Sequence, residues 1–152
     1  MLSVTHFFFA IAVAFVLKFP ILPAGVASLL VDMDYFLDYD FPFMHRGIIH
    51  TPIFLAMSII ILYLVTKRWD FTLSIGAGVL THLFLDMINP MGIILLYPQA
   101  TFYSLNLIHY NNIIANVGMV LWSIAFILLL KSKWFQKKMH DGFNLNMEFG
   151  GR

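Results

Sequence analysis

The chain has 152 residues, of which 61% are hydrophobic and 11% charged, and its mean hydropathy is +0.85. An average soluble domain is about 45–50% apolar and about 25% charged, so a soluble globular domain is excluded. Aromatic residues make up 16%, the net charge is +1 and cysteine is absent, which excludes a disordered chain, a nucleic-acid-binding protein and a disulfide-rich secreted domain. The composition therefore predicts an integral membrane protein.

Five apolar stretches predict an all-α fold, a polytopic membrane helical bundle with about five membrane helices. The stretches cover residues 4–17, 21–31, 52–66, 71–88 and 112–130. The first two are short, and Lys18, Phe19 and Pro20 separate them. Because proline is tolerated at the start of a helix and costly inside one, we expect these two helices to form a hairpin. The alternative is one kinked helix over residues 4–31.

The basic residues predict the orientation of the chain, because Lys and Arg accumulate on the cytoplasmic side of membrane proteins. With five crossings, every Lys and Arg except Arg46 falls on one side. We therefore expect a single membrane-embedded domain over residues 1–131 and a basic, poorly ordered cytoplasmic tail over residues 132–152. The opposite side, which collects most of the histidines and acids, would face outside.

Ionisable side chains at the edge of a bilayer are costly unless they are paired, so they mark candidate sites. The predicted topology brings seven candidate metal ligands to one face: His6, Asp32, Asp34, His45, His50, His82 and Asp86. His82 and Asp86 lie four residues apart on one helix face, where two donors can share an ion. The alternative for this pair is a hydrogen bond that helps helices to pack.

The segment after the second helix contains a candidate cation site and a candidate anion site. Asp32 and Asp34 repel each other unless a cation lies nearby, and divalent ions are the usual partner of such pairs. Arg46 is the one cation on this face, and its guanidinium suits a phosphate or a carboxylate. Thr51 can cap the third helix. The alternatives are a solvated acid pair and an ordinary interfacial loop with a snorkelling arginine.

Several short strings together resemble a known family. They are Thr5-His6, LLVDMD at residues 29–34, HRGIIHT at 45–51, HLFLD at 82–86, NPMG at 89–92 and LYP at 96–98. In this order they resemble the YdjM-like family of predicted membrane-bound metal-dependent hydrolases, over about positions 5 to 103. Val31 stands where the family usually has proline, and Ile49 where it usually has threonine. The resemblance implies a small bacterial or archaeal plasma-membrane protein with a His/Asp metal site and Arg46 beside it.

The leading hypothesis is a divalent-metal-dependent hydrolase that cleaves a phosphoester of a lipid or another amphiphilic substrate at the extracytoplasmic side. We expect one or two ions, zinc first and manganese second. Asp34 would be the general base, His45 a proton carrier or ligand, and Arg46 the clamp for the anionic group. The expected partners are membrane lipids and the substrate, with no nucleic acid, and the oligomeric state stays open.

Two other classes of function remain open at this point. One is a metal-ion transporter, whose site would lie near the midplane and be reachable from both sides. The donors predicted here lie at helix ends on one face, which argues against permeation. The other is a non-catalytic metal-binding membrane protein. Replacing Asp34 should leave the structure intact in either case, but only an enzyme would lose turnover.

Overall fold

The structure, a computed structural model, describes residues 1–36, 47–96, 101–133 and 136, with the backbone alone for residues 34–36. These ranges contain the α-helices α1 (Ser3–Val16), α2 (Ile21–Leu30), α3 (Pro52–Thr66), α4 (Trp69–Ile88) and α5 (Ile113–Lys131), the 3₁₀-helices Val31–Phe36 and Ile48–His50, and the strands β1 (Ile93–Ile94) and β2 (Phe102–Tyr103). The prediction of a mainly α-helical protein is confirmed, and each predicted helix lies within two residues of the observed one.

The chain departs from the predicted elements in three places. Helix α1 ends before Lys18, which has a left-handed φ of 58°, so the alternative of one kinked helix over residues 4–31 is wrong. The predicted loop over residues 32–51 begins and ends in 3₁₀-helix. The predicted loop over residues 93–110 carries the antiparallel pair β1–β2, so the fold is not purely α-helical. The 3₁₀-helices and the β1–β2 pair were not predicted because their backbone hydrogen bonds are local and leave no apolar periodicity in the sequence.

Helix α4 is the centre of the fold, and it packs against α1, α2 and α3. In the described ranges, α4 and α5 are long and apolar enough to cross a membrane, with 20 and 19 residues. Most of α4 is buried, whereas α5 is largely exposed and packs mainly on α1. Helices α1, α2 and α3 have 14, 10 and 15 residues, fewer than the roughly 20 that a bilayer core about 30 Å thick requires.

Helices α2 and α4 run parallel along a seam of small residues. The Ser74 hydroxyl donates to the carbonyl oxygen of Pro20, and His82 Nδ1 lies 2.6 Å from the carbonyl oxygen of Ser28; both contacts join residues 54 apart. Midway between them, a Cβ on Gly78 would overlap the carbonyl of Ala24. Small residues at every fourth position let two helix backbones approach closely. This seam therefore fixes the register of α2 on α4.

The helices alternate in direction, so the bundle has two distinct ends. At one, which we call the histidine end, α1 and α5 begin and α4 finishes, with His6 near Asp86. At the other, the basic end, Lys131 lies 5.4 Å from the ring centroid of Phe15, and the hydroxyls of Thr66 and Thr72 are 3.4 Å apart.

The predicted division into a membrane domain over residues 1–131 and a tail over residues 132–152 stays a prediction, since most of the tail lies outside the described residues.

Candidate metal centre

Four side chains from three parts of the chain meet at the histidine end. Asp32 follows α2, His50 immediately precedes the start of α3, and His82 and Asp86 lie in the last two turns of α4. One donor atom from each lies within 4.8 Å of the others. We call these four residues the His–Asp cluster. No other group of three or more such side chains with this spacing occurs among the residues that the structure describes.

Four distances between imidazole nitrogens and carboxylate oxygens of the His–Asp cluster are close to those between ligands of one ion. His82 Nε2 lies 3.3 Å from Asp32 Oδ1 and 3.3 Å from Asp86 Oδ2. His50 Nε2 lies 3.7 Å from each of the same two oxygens. With metal–ligand bonds of about 2.0–2.2 Å, two ligands of a tetrahedral ion are separated by about 3.3–3.6 Å. The donor set, two imidazoles and two carboxylates, suits a divalent ion of intermediate hardness such as zinc or manganese.

The orientation of His82 is fixed from the α2 side. A carbonyl oxygen can only accept, so Nδ1 carries the hydrogen and donates it to Ser28. In the neutral ring, Nε2 then presents a lone pair to the oxygens of Asp32 and Asp86, and among the described residues it has no hydrogen-bond partner. A backbone carbonyl that holds the far nitrogen of an imidazole is the usual outer contact of a metal-bound histidine.

Burial of the cluster is uneven. His50 and His82 are fully buried and Asp86 is 1% exposed, whereas the Asp32 side chain is 28% exposed. Asp32 therefore lies at a partly open edge of the cluster, beside the buried imidazoles of His50 and His82.

His6 lies against the cluster without belonging to it. Its ring stacks on His82 with centroids 3.9 Å apart and planes inclined by 19°. Its Nε2 is 3.6 Å from Asp86 Oδ1, the carboxylate oxygen that does not face His82. The expectation that helix α1 brings a histidine to this site is thus met in position, while its role as a ligand stays a prediction.

Asn116 of α5 holds the start of α1 beside the cluster, a role that the sequence did not reveal. Its Oδ1 accepts hydrogen bonds from the Thr5 hydroxyl at 2.8 Å and from the Leu2 amide at 3.0 Å. Its Nδ2 donates to the carbonyl oxygens of Tyr110 and Asn112, each at 2.9 Å. Asn116 is only 1% exposed, so its amide group is satisfied inside the protein by these hydrogen bonds. The available signal was an amide one turn inside an apolar helix, which is costly unless paired.

The remaining predicted site residues are not tested. His45 and Arg46 lie outside the described residues, as does the side chain of Asp34. Next to them, the predicted cap of α3 is confirmed, because Thr51 Oγ1 accepts a hydrogen bond of 3.2 Å from the Phe54 amide.

The chain matches the model of the YdjM inner membrane protein family over residues 1–140. The match spans most of the chain. This chain belongs to the YdjM inner membrane protein family. Searches of curated proteins and of solved structures found no match. The resemblance inferred over positions 5 to 103 is therefore confirmed for the YdjM family, and the His–Asp cluster lies inside the matched region. The hydrolase activity stays a prediction.

Proposed function

We propose that this YdjM protein is a membrane-embedded, divalent-metal-dependent hydrolase whose ion is held by the His–Asp cluster. The observation that carries the proposal is the orientation of His82. With Nδ1 donating to Ser28, a neutral ring turns a lone pair toward the oxygens of Asp32 and Asp86. Three acceptor atoms that face one another in a buried space need a cation among them. A metal ion meets that need with distances that already suit it.

A proton on His82 is the competing cation, and it leads to a different function. An imidazolium would hydrogen-bond to both carboxylates and lock α4 against α2, giving a purely structural network. Under that alternative the 3.3 Å distances from His82 Nε2 to the two carboxylate oxygens would be long hydrogen bonds. The two alternatives predict opposite metal contents, so elemental analysis separates them.

The chemistry supplied by a bound divalent ion would be a lowered pKa of its water, from 15.7 to about 7, and polarisation of a phosphoryl oxygen. His50 and His82 would supply nitrogen ligands, and Asp32 and Asp86 oxygen ligands. Asp34 would be the general base, His45 a proton carrier or second-ion ligand, and Arg46 the clamp for the phosphate. These last three roles rest on the sequence.

The number of ligands bears on which metal the site would use. A tetrahedral zinc ion bound by all four residues would be saturated, which is typical of structural zinc. Catalysis needs an open position, which a five- or six-coordinate ion leaves, as does release of the partly exposed Asp32. We therefore propose zinc with an expanded or three-residue set, with manganese as the second candidate. Cobalt substitution reports this directly, because its visible absorption differs between four- and six-coordinate sites.

The proposed topology has five crossings, with the histidine end outside and the basic end in the cytoplasm. Two observations support it: the alternating helix directions, and the collection of Lys18, Lys67, Arg68 and Lys131 at one end of the described chain. Helices of 10 to 15 residues would leave the cluster below the headgroups, where the ester of an amphiphile lies.

The first test is the metal content per chain of detergent-purified protein, measured by elemental mass spectrometry. Native protein is expected to hold one or two equivalents, and His82→Ala and Asp32→Asn to lose them. His109→Ala is the matched control, because His109 is exposed. A native protein that remains metal-free after incubation with zinc and with manganese would overturn the proposal in favour of the proton-bridged network.

The second test separates an enzyme from a non-catalytic metal protein. Native protein and Asp34→Asn are compared for phosphate or alcohol release from phosphoester lipids in mixed micelles, with metal content measured on the same samples. The proposal expects equal metal and lost turnover in the variant. Full metal with no turnover in the native protein on any phosphoester would favour the non-catalytic alternative.

A further inference from the structure

The segment that follows α4 covers the histidine end of the bundle. We call its described parts, residues 91–96 and 101–110, the end segment. The Leu105 amide donates to the Met87 carbonyl at 2.7 Å, and the Leu107 amide donates to the Ile88 carbonyl at 2.9 Å. These bonds satisfy carbonyl groups that the last turn of a helix otherwise leaves unpaired. The end segment is thus fixed to the helix that carries His82 and Asp86.

The end segment has an inner and an outer side. On the inner side, Ile93 is 3% exposed and belongs to the same buried cluster as Val31 and Leu83, the neighbours in sequence of Asp32 and His82. On the outer side, Phe102 is 52% exposed and Leu107 70% exposed. Strand β1 therefore packs against residues adjacent to the site, and residues 102–107 present exposed apolar side chains outward.

This outer surface makes two opposite demands on its surroundings. Exposed side chains such as Phe102, Leu105 and Leu107 favour an apolar phase. The backbone around them is irregular, and exposed irregular backbone does not occur in the hydrocarbon core because its N–H and C=O groups need water. Both demands are met only at the boundary between headgroups and acyl chains, where Tyr103 and Tyr110 also suit the aromatic belt of membrane proteins.

We infer that the end segment docks into the headgroup–acyl boundary of the bilayer and sets the depth of the His–Asp cluster. The occupant of this surface is lipid, because Leu80 and Phe84 of α4 are exposed and share a helix face with Ile88, whose carbonyl accepts from Leu107. The family is one of inner membrane proteins, so lipid surrounds these helices.

The depth of the cluster follows from helix geometry. Asp86 lies two residues before Ile88, the anchor of the end segment, and His82 six residues before it. At a rise of 1.5 Å per residue, these ligands lie roughly 3 Å and 9 Å below that anchor along the helix. With the anchor near the phosphate level, the upper edge of this band reaches the phosphate, and its lower part holds the glycerol esters of a membrane lipid. Resting on the proposed function, the substrate class is a lipid phosphoester that stays in the bilayer.

Depth can be measured on this chain directly, because it contains no cysteine. A nitroxide label on Leu107→Cys is compared with labels on Leu80→Cys and Arg68→Cys, in vesicles of phosphatidylethanolamine and phosphatidylglycerol. Collision rates with oxygen and with a water-soluble nickel chelate give the depth. The Leu107 label is expected near the phosphate level. The Leu80 label is expected roughly 12 Å deeper, because Leu80 lies eight residues of helix before Ile88, to which Leu107 is hydrogen-bonded. Phe102→Cys is a second reporter should the Leu107 variant fold poorly.

Two results would overturn the inference: a Leu107 label as open to the nickel chelate as the Arg68 label, or one as deep as the Leu80 label. Neither depends on metal or turnover, so a failure here leaves the proposed function standing. The substrate class is tested with Leu107→Asp, which should lose activity on vesicle lipid and keep it on a water-soluble short-chain phosphoester. Equal loss on both substrates would contradict it, whereas no activity of the native protein on either would count against the proposed function alone.

Discussion

The two ends of the bundle use charged residues in opposite ways. At the basic end, Lys18, Lys67 and Arg68 are exposed. At the histidine end, His50, His82 and Asp86 are buried against one another. Exposed charges cost little and report the orientation of a membrane protein, whereas buried ones cost several kcal/mol unless paired, as expected of groups in a membrane segment. Among the residues that the structure describes, the buried ionisable side chains lie at the histidine end.

Helix α4 carries both kinds of aspartate, which makes it an internal comparison. Asp70, in the first turn, is exposed and pairs with Arg68 at 3.0 Å. Asp86, in the last turn, is 1% exposed and faces three imidazoles, those of His6, His50 and His82. An aspartate therefore has one solvent-exposed partner at the start of the helix and several buried partners at its end.

The largest effect is expected from Asp86→Asn, which keeps the shape of the side chain and removes its charge. Loss of an outer hydrogen-bond partner of a metal ligand costs about 10–100-fold in affinity, so loss of a ligand itself should exceed about 100-fold. Metal titration of the detergent-purified protein measures this. Asp70→Asn is the matched control and should bind as the native protein does. Equal metal content in native and Asp86→Asn protein would contradict the prediction.

Next in size is Gly78→Ala, which tests the seam that brings α2 to the cluster. The added Cβ would meet the Ala24 carbonyl, and overpacking of this kind costs about 1–3 kcal/mol. Thermal unfolding in detergent should show the loss, together with weaker metal binding, because the His82–Ser28 contact lies one turn along the same seam.

Gly118→Ala is the control for this substitution. A Cβ there meets nothing within 4 Å, so the change should stabilise α5 by about 0.5–1 kcal/mol. Equal stability of the Gly78 and Gly118 variants would mean that the close approach of α2 and α4 is dispensable.

Asn116→Ala is expected to have a smaller effect on stability, limited to the side of the site where α1 begins. It removes the acceptor for the Thr5 hydroxyl and the Leu2 amide, and leaving buried donors unpaired costs about 1–2 kcal/mol within the usual range. Asn111→Ala, an exposed neighbour, should change the free energy of unfolding by less than about 0.5 kcal/mol. Thermal unfolding of both variants decides it, and equal effects would show that the network does not hold α1.

The helices and the composition of the site could be predicted from the sequence, because both rest on local patterns. Proline at the start of α3 with Thr51 before it marks a helix start. The four-residue spacing of His82 and Asp86 places them on one helix face whatever surrounds the helix. The meeting of Asp32 and His50 with this pair followed from the alternation of crossings, since helix ends on one side of a bundle are neighbours.

The contacts that position the site could not be predicted, because they join distant residues. The bond from His82 to Ser28 depends on a parallel register of 54 residues, and nothing in either helix alone specifies it. Asn116 carried no local signal of its partners, Thr5 and Leu2, which lie more than 100 residues away. Strands β1 and β2 have two residues each, too few for a period to be read.

The smallest effect is expected at the basic end, where Arg68→Gln removes the pair with Asp70. The two side chains are 67% and 53% exposed, and solvent screens such exposed ion pairs so that they contribute little to stability. The midpoint of thermal unfolding should therefore hardly shift, and metal affinity should not change, because the pair lies at the opposite end of α4 from the cluster. Loss of metal in Arg68→Gln would show that the two ends are energetically coupled. The conclusion that metal binding depends on the histidine end alone would then be wrong. Unchanged metal in this variant, beside its loss in Asp86→Asn, would place the chemistry of the chain at the histidine end.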